Sequence, residues 1–252
     1  MSDKWFWKGI DVSKHNGDID WKKVKNSGGV DFAILRAGFG KLAIQRDAQF
    51  KRNYAGCKEN GIPVGAYWYS YAHSVAEIQQ EARVFLDVIS GRQFEFPVYL
   101  DFEEESQFKL GKNMCCAMAK AFLEILENAG YFAGLYCSTY YLNQYFDDSV
   151  KDRYSIWLAH VNVQKPTYAK PYDMWQYSWK GRIDGISGDV DCNYCYKDFP
   201  AIIKGAGLNG FPKPESAVVE SPVNAPENKR VIEVIIKLDG EIVKSDTVEI
   251  DC

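Results

Sequence analysis

The sequence predicts an α/β fold, an irregular TIM-like (β/α) barrel with a short C-terminal β-hairpin appendage. Three observations predict it. Short apolar runs alternate with longer amphipathic stretches, the alternation continues over about 200 residues, and the texture changes abruptly after Gly207. Strand and helix in regular succession imply parallel strands joined by right-handed crossovers.

The strand candidates are Gly9–Ser13, Phe32–Ala37, Pro63–Tyr71, Pro97–Glu103, Phe132–Cys137, Ser155–Ala159 and Asp173–Tyr177. Each is rich in Ile, Val, Leu, Phe or Tyr and too short for a buried helix. Gln45–Asn60 reads as a helix stopped by Gly61 and Pro63. Val75–Ile89 opens after Ser74, with Glu77 three positions on as a capping box requires. Asn113–Ala129 is closed by Gly130. The later strands follow one another with little helix between them, so the last part of the barrel is expected to be irregular. The predicted division is a barrel over 1–207, a Pro-rich linker over 208–229 with Pro212, Pro214, Pro222 and Pro226, and a hairpin segment over 230–252. Asp239-Gly240 between Arg230–Leu238 and Glu241–Ile250 is a type I′ hairpin signal. A lone two-stranded hairpin is marginal in water. It must lean on the barrel, pair with another chain to give a homo-oligomer, or await an absent partner.

Composition narrows the function classes. With 46% hydrophobic and 25% charged residues, the chain is globular rather than disordered or fibrous. Net charge is −4 and no segment gathers Lys and Arg on one face, so nucleic acid is not an expected partner. No run approaches the roughly 20 apolar residues of a membrane span. The opening Met1-Ser2-Asp3-Lys4-Trp5-Phe6-Trp7-Lys8 lacks a signal-peptide core, so synthesis in the cytoplasm is expected. Seven cysteines include the Cys192–Cys195 pair, but no second such pair exists, so free thiols are expected and no metal or cofactor is called for.

The chemistry lies in Pro97-Val98-Tyr99-Leu100-Asp101-Phe102-Glu103-Glu104-Glu105, an apolar strand running into acids. Residues two apart on a strand share a face, so Asp101 and Glu103 project together while Phe102 faces the helices. The carboxyl end of a barrel strand is where such folds build active sites. Crowded carboxylates repel, so one retains a proton, and a protonated acid near neutral pH is what glycoside hydrolysis needs at its leaving oxygen. The competing reading is a solvated acidic loop, which suits Glu104 and Glu105. Asp11 in the first strand and Asp191 where the last should lie are expected neighbours across the barrel closure. An Asp within an apolar strand is costly unless a pocket solvates or pairs it.

Several segments then carry a resemblance. Asp11-Val12-Ser13 with Asn16-Gly17 and Ile19-Asp20-Trp21 resembles the opening signature of family 25 glycoside hydrolases, the phage- and bacterial-type muramidases. Phe32–Gly40, Val64–Tyr69, Asp101-Phe102-Glu103, Trp175-Gln176-Tyr177-Ser178, Gly185-Ile186 and Val190-Asp191-Cys192-Asn193 match later motifs in order, over about residues 9–200. Where many members have His in a Tyr-His-Phe triplet, this chain has Trp68. The resemblance implies an irregular α/β barrel that hydrolyses the β-1,4 bond after N-acetylmuramic acid in peptidoglycan, acting on the bacterial cell wall. It makes Glu103 the general acid, with Asp11, Asp101 and Asp191 lining the same pocket. Two mechanisms stay open: attack by the substrate's acetamido oxygen with Asp101 orienting it, or a direct nucleophilic or basic role for Asp11 or Asp101. Sugar contacts are expected from Tyr67, Tyr69, Tyr136 and Trp175, with Arg36 and Gln176 as polar partners; alternation along the strands predicts that about half of these pack instead. Rival readings are a non-catalytic glycan-binding module and a chitinase-like hydrolase.

Overall fold

A computed structural model describes residues 6–213, 229–238 and 241–251. Eight strands close into a barrel in sequential order: β1 (Trp7–Val12), β2 (Phe32–Phe39), β3 (Val64–Tyr69), β4 (Val98–Asp101), β5 (Ala133–Ser138), β6 (Ser155–Ala159), β7 (Met174–Gly181) and β8 (Val190–Cys195). Strands β1 to β7 pair in parallel, whereas β8 runs antiparallel to both β7 and β1. This is the irregularity expected at the end of the barrel. No helix crosses over between β7 and β8, and a short return between neighbours yields only antiparallel pairing.

Helices α1 (Trp21–Asn26), α2 (Phe50–Glu59), α3 (Val75–Ile89), α4 (Glu105–Phe108), α5 (Lys112–Asn128), α6 (Thr139–Tyr145), α7 (Asp148–Lys151) and α8 (Phe199–Ala206) complete this part. Ser74 caps α3 by accepting the Glu77 amide, but the Glu77 carboxylate reaches the His73 amide rather than Ser74. Helix α2 starts at Phe50 and not at Gln45. The intervening residues include a bridge between Arg46 and Gly38, and the Asp47 carboxylate turns inward to Arg36, accepting the amides of Lys14 and Gln49 as well.

Two apolar layers follow from strand alternation. Side chains such as Leu35, Val64, Trp68, Leu100 and Phe102 face outward and pack under Phe85 of α3 and Phe122 of α5. Inside the barrel, Phe32, Phe96, Tyr99, Trp157 and Met174 fill the lower half, with Phe199 and Ile203 of α8 below them. The Phe32 and Phe96 rings stack at 4.3 Å, and a Cβ on Gly9 would lie 2.5 Å from the Phe32 ring, so only glycine fits there. Each such fully buried large side chain contributes about 1.5–3 kcal/mol. The plug is apolar below; the upper mouth is left to polar groups.

Past α8 the chain stays attached to this body. Gly207 ends the helix in the left-handed region at φ 63°, and Asn209, fully buried, donates to the Phe94 and Phe96 carbonyls and accepts the Phe132 amide. The first compact unit extends to Pro214. The second contains β9 (Lys229–Leu238) and β10 (Glu241–Asp251), paired antiparallel with an irregularity between Ile242 and Lys244. The Asp239-Gly240 turn and residues 214–228 of the predicted linker lie outside the described residues. The six described cysteines are free and buried, Cys192 and Cys195 among them.

Candidate active site

The upper mouth of the barrel holds a cleft of about 340 Å³ lined by all four predicted acids, Asp11, Asp101, Glu103 and Asp191. Topology explains the convergence. Asp11 sits at the carboxyl end of β1, and because β8 runs downward its first residues reach the same level, placing Asp191 directly opposite Asp11. Asp101 ends β4, and Glu103 follows two residues later in the loop above the strand. Phe102 turns away to pack on Phe108 and Phe146.

Asp11 is the anchored member. Its Oδ2 accepts the Gln176 Nε2 amide at 2.9 Å and the Asn193 Nδ2 amide at 2.8 Å. Burial raises its pKa to about 6 despite those bonds, which oppose the rise. Asp191 is pushed up further, to about 8, by desolvation and then by the charges of Asp11 and Glu103. A hydrogen bond between the two carboxyls favours the ionised form of Asp11 and the protonated form of Asp191. Asp101 is buried, its Oδ1 has no hydrogen-bond partner, and desolvation followed by Glu103 and Asp11 raises its pKa well above the usual carboxylate range. Glu103 remains open to solvent along one side, yet the cleft walls crowd it. Desolvation first, then Asp11 and Glu104, raise its pKa to about 7. A carboxyl with that pKa is protonated in a large fraction of molecules at neutral pH and can donate to a leaving group.

The predicted sugar contacts divide. Tyr67, Tyr69, Tyr136, Arg36 and Gln176 all line the cleft. Tyr69 donates to Glu104 at 3.3 Å, and Tyr136 donates to Gln176 Oε1 at 2.8 Å. Arg36 spends its Nε on Asp47 at 2.7 Å, leaving Nη2 without a partner. The structure does not bring Trp175 to this site. One residue out of phase with Gln176, it points through the opposite face of the strand and donates to the His160 carbonyl. Trp175 lines a larger cavity of about 820 Å³ together with Tyr168, Tyr172 and Tyr196. That cavity contains none of the four acids, so the chemistry belongs to the smaller cleft. Trp68, the departure from the Tyr-His-Phe triplet, is fully buried on the outer face, with its indole N–H on the Gly40 carbonyl. It does not line the cleft.

Sequence reasoning missed Asn193 and Trp157. The Trp157 indole donates to Asn193 Oδ1 at 2.8 Å, which fixes the amide so that its N–H faces Asp11. Counting two residues from Asp191 along β8 points to Asn193; its partner on β6 has no local signal. His15 borders the cleft alongside Ser13, Asn16 and Asp189.

A closed barrel whose mouth crowds four carboxyls, with Glu103 open to solvent and its pKa raised to about 7, suits acid catalysis of hydrolysis. The chain belongs to glycosyl hydrolases family 25, whose description matches residues 10–186, and it is a glycoside hydrolase. It is 32% identical over 196 residues to the protein YegX of Escherichia coli K12, spanning 73% of this chain and 68% of that one. It is 31% identical over 186 residues to the autolytic lysozyme of Clostridium acetobutylicum, spanning 73% of this chain and 54% of the relative. The solved structure of the CTP1L endolysin superposes with a TM-score of 0.67 at 30% identity, covering 79% of this chain and 70% of the endolysin.

Proposed function

We propose that this enzyme is a lysozyme, an N-acetylmuramidase that cuts the β-1,4 bond between N-acetylmuramic acid and N-acetylglucosamine in peptidoglycan and so lyses the bacterial cell wall. The observation that carries the reading is Glu103, open to a cleft and held near a pKa of about 7 by burial and neighbouring acids. Glu103 protonates the glycosidic oxygen as the bond breaks and later takes a proton from the incoming water. Attack on the anomeric carbon by the substrate's own acetamido oxygen is favoured by Asp101, which lines the cleft and whose buried Oδ1 has no hydrogen-bond partner, leaving this carboxyl with acceptor capacity for the acetamido N–H. Asp11 is less suited to act as nucleophile, because two amides already hold one of its oxygens and Asp191 bonds to it. Tyr67, Tyr69 and Tyr136 wall the sugar site.

Glu103→Gln should lower turnover of purified cell walls by orders of magnitude while leaving binding intact; near-normal lysis by that variant overturns the assignment. Mass spectrometry of the products identifies the bond, with N-acetylmuramic acid expected at the new reducing end. Among the described residues no helix is long and apolar enough to cross a membrane. The division at the Pro-rich linker is proposed to separate this catalytic unit from a hairpin over 230–252 that associates with a second copy of the chain. Light scattering of the full chain and of a version ending at Pro214 tests this, and equal numbers of protomers in both exclude the association.

A further inference from the structure

Strand β7 contains two irregularities that no periodicity predicts. Along its pairing with β8, Gln176 opposes Asn193, Ser178 opposes Cys192 and Gly181 opposes Val190. Two residues of β7 therefore advance where β8 advances one, and then three where it advances two. Each extra residue is a bulge that inverts the in–out alternation. Without them Trp179, three residues after Gln176, would share the outward face with Trp175. With the first bulge Ser178 opposes outward-facing Cys192, and Trp179 swings back toward the mouth, where its indole N–H donates to Gln176 Oε1 at 3.0 Å.

The placement has two consequences. Trp179 is 54% exposed, so its ring lies open at the rim while its one polar atom is spent on the protein. A face of that kind offers apolar stacking to a ring that carries axial C–H groups and equatorial hydroxyls, as β-linked aminosugars do. Its bond also completes a chain of three groups. Gln176 Oε1 accepts from both Tyr136 and Trp179, which forces the amide N–H₂ of Gln176 toward Asp11. The ring that meets the sugar is thereby tied through one side chain to the acid cluster.

We infer that Trp179 is a substrate-recognition residue that stacks an aminosugar ring beside the acid cleft and, through Gln176, positions Asp11 for the reaction. The inference rests on the proposed cleavage of peptidoglycan. Trp179→Phe and Trp179→Ala separate the two roles, because Phe keeps a stacking ring and loses the N–H. The position is exposed, so both variants should fold with unchanged melting temperature. Binding is measured by titrating a soluble tetrasaccharide of alternating N-acetylglucosamine and N-acetylmuramic acid into the Glu103→Gln chain and into the same chain carrying each Trp179 change. Turnover of the tetrasaccharide is measured with Glu103 intact. Ala is expected to weaken Kd and KM about three- to tenfold, and Phe to restore both. Phe should still lower kcat about fivefold, the effect of losing one partly buried neutral hydrogen bond. Unmoved Kd in the Ala variant, or Phe and Ala behaving alike in both Kd and kcat, overturns the inference. If the unsubstituted chain binds the tetrasaccharide but does not cleave it, the muramidase reading fails, while the Kd comparison still decides the role of Trp179.

Discussion

Glu81 lies inside α3 at 1% exposure, with no ion pair to a cation among the described residues, and its replacement by Gln should make the protein more stable, by an amount that depends on pH. Its Oε1 accepts the Tyr71 amide and it shares a hydrogen bond with Ser70, whereas Oε2 has no partner. Gln107, also buried, donates to Ser70 and to the Ala72 carbonyl and leaves its own Oε1 unpaired. Burial raises Glu81 from the ordinary 4.5 to about 7, the hydrogen bonds offsetting only part of it.

The folded chain therefore holds a proton at pH 6 that the unfolded chain gives up. Stability from this residue is intact below pH 4.5, falls as pH rises toward 7, and is level above it. At about 1.36 kcal/mol per pH unit the loss amounts to about 3 kcal/mol. Gln has the same shape, keeps an acceptor for Tyr71, and carries no charge at any pH. Urea unfolding of both proteins at pH 4.5, 6 and 8 checks the prediction. The raised carboxyls of the cleft tilt both curves alike and cancel in the difference. The variant should match the parent at pH 4.5 and exceed it by up to about 3 kcal/mol at pH 8, or several degrees in Tm. A constant difference at all three values, or a variant less stable at pH 8, refutes the assignment of a buried, proton-holding Glu81.

Other perturbations test the cleft and the fold. Because Glu103 acts as an acid, kcat/KM should fall as pH rises through about 7, and because Asp11 acts ionised it should fall as pH drops through about 6. Glu104→Gln removes a like charge beside Glu103 and should move the alkaline limb to lower pH; an unmoved limb contradicts that contribution. Asn193→Leu deletes a bond that favours ionised Asp11, so the acid limb should rise in a pH–rate profile, with activity at pH 8 reduced less than at pH 5. Asn209→Ala unties three backbone groups in the barrel floor and should cost about 2–4 kcal/mol in urea unfolding without altering KM.

Much of this architecture was legible because burial imposes periods on the chain. The apolar runs fell on β1 to β7, and the two-residue spacing of Asp101 and Glu103 marked a strand end opening onto the cleft. Closure of the barrel was enough to bring Asp11 and Asp191 together. Features set by distant pairing were not legible. The bonds from Gln176 and Asn193 to Asp11 span 165 and 182 residues, and no local pattern encodes them. Alternation predicted that about half of the candidate sugar contacts would face away, whereas of the six only Trp175 does, and a bulge that breaks the period hid Trp179. The start of α2 was placed too early, at Gln45, for a related reason: Arg46 bridges to Gly38 and Asp47 turns inward to Arg36, pairings that no local pattern encodes.

The cleft is built to keep protons rather than counter-ions. Among the described residues, Arg36 is the one Lys or Arg side chain lining it, and its Nε is committed to the buried Asp47. Four carboxyls so placed repel one another and do not all ionise near neutrality, Arg36 offsetting only part of the rise at Asp101. Amide donors then favour where the charge settles: Asp11 receives two and ionises more readily, while among the described residues no amide side chain donates to Asp191 or Asp101, and both keep a proton more readily. Glu103, facing that anion from the open side of the cleft, retains its proton until a leaving oxygen arrives to accept it. A Lys introduced at the rim would favour the ionised form of Glu103 and should move the alkaline limb of the pH–rate profile to lower pH without touching any of the four acids.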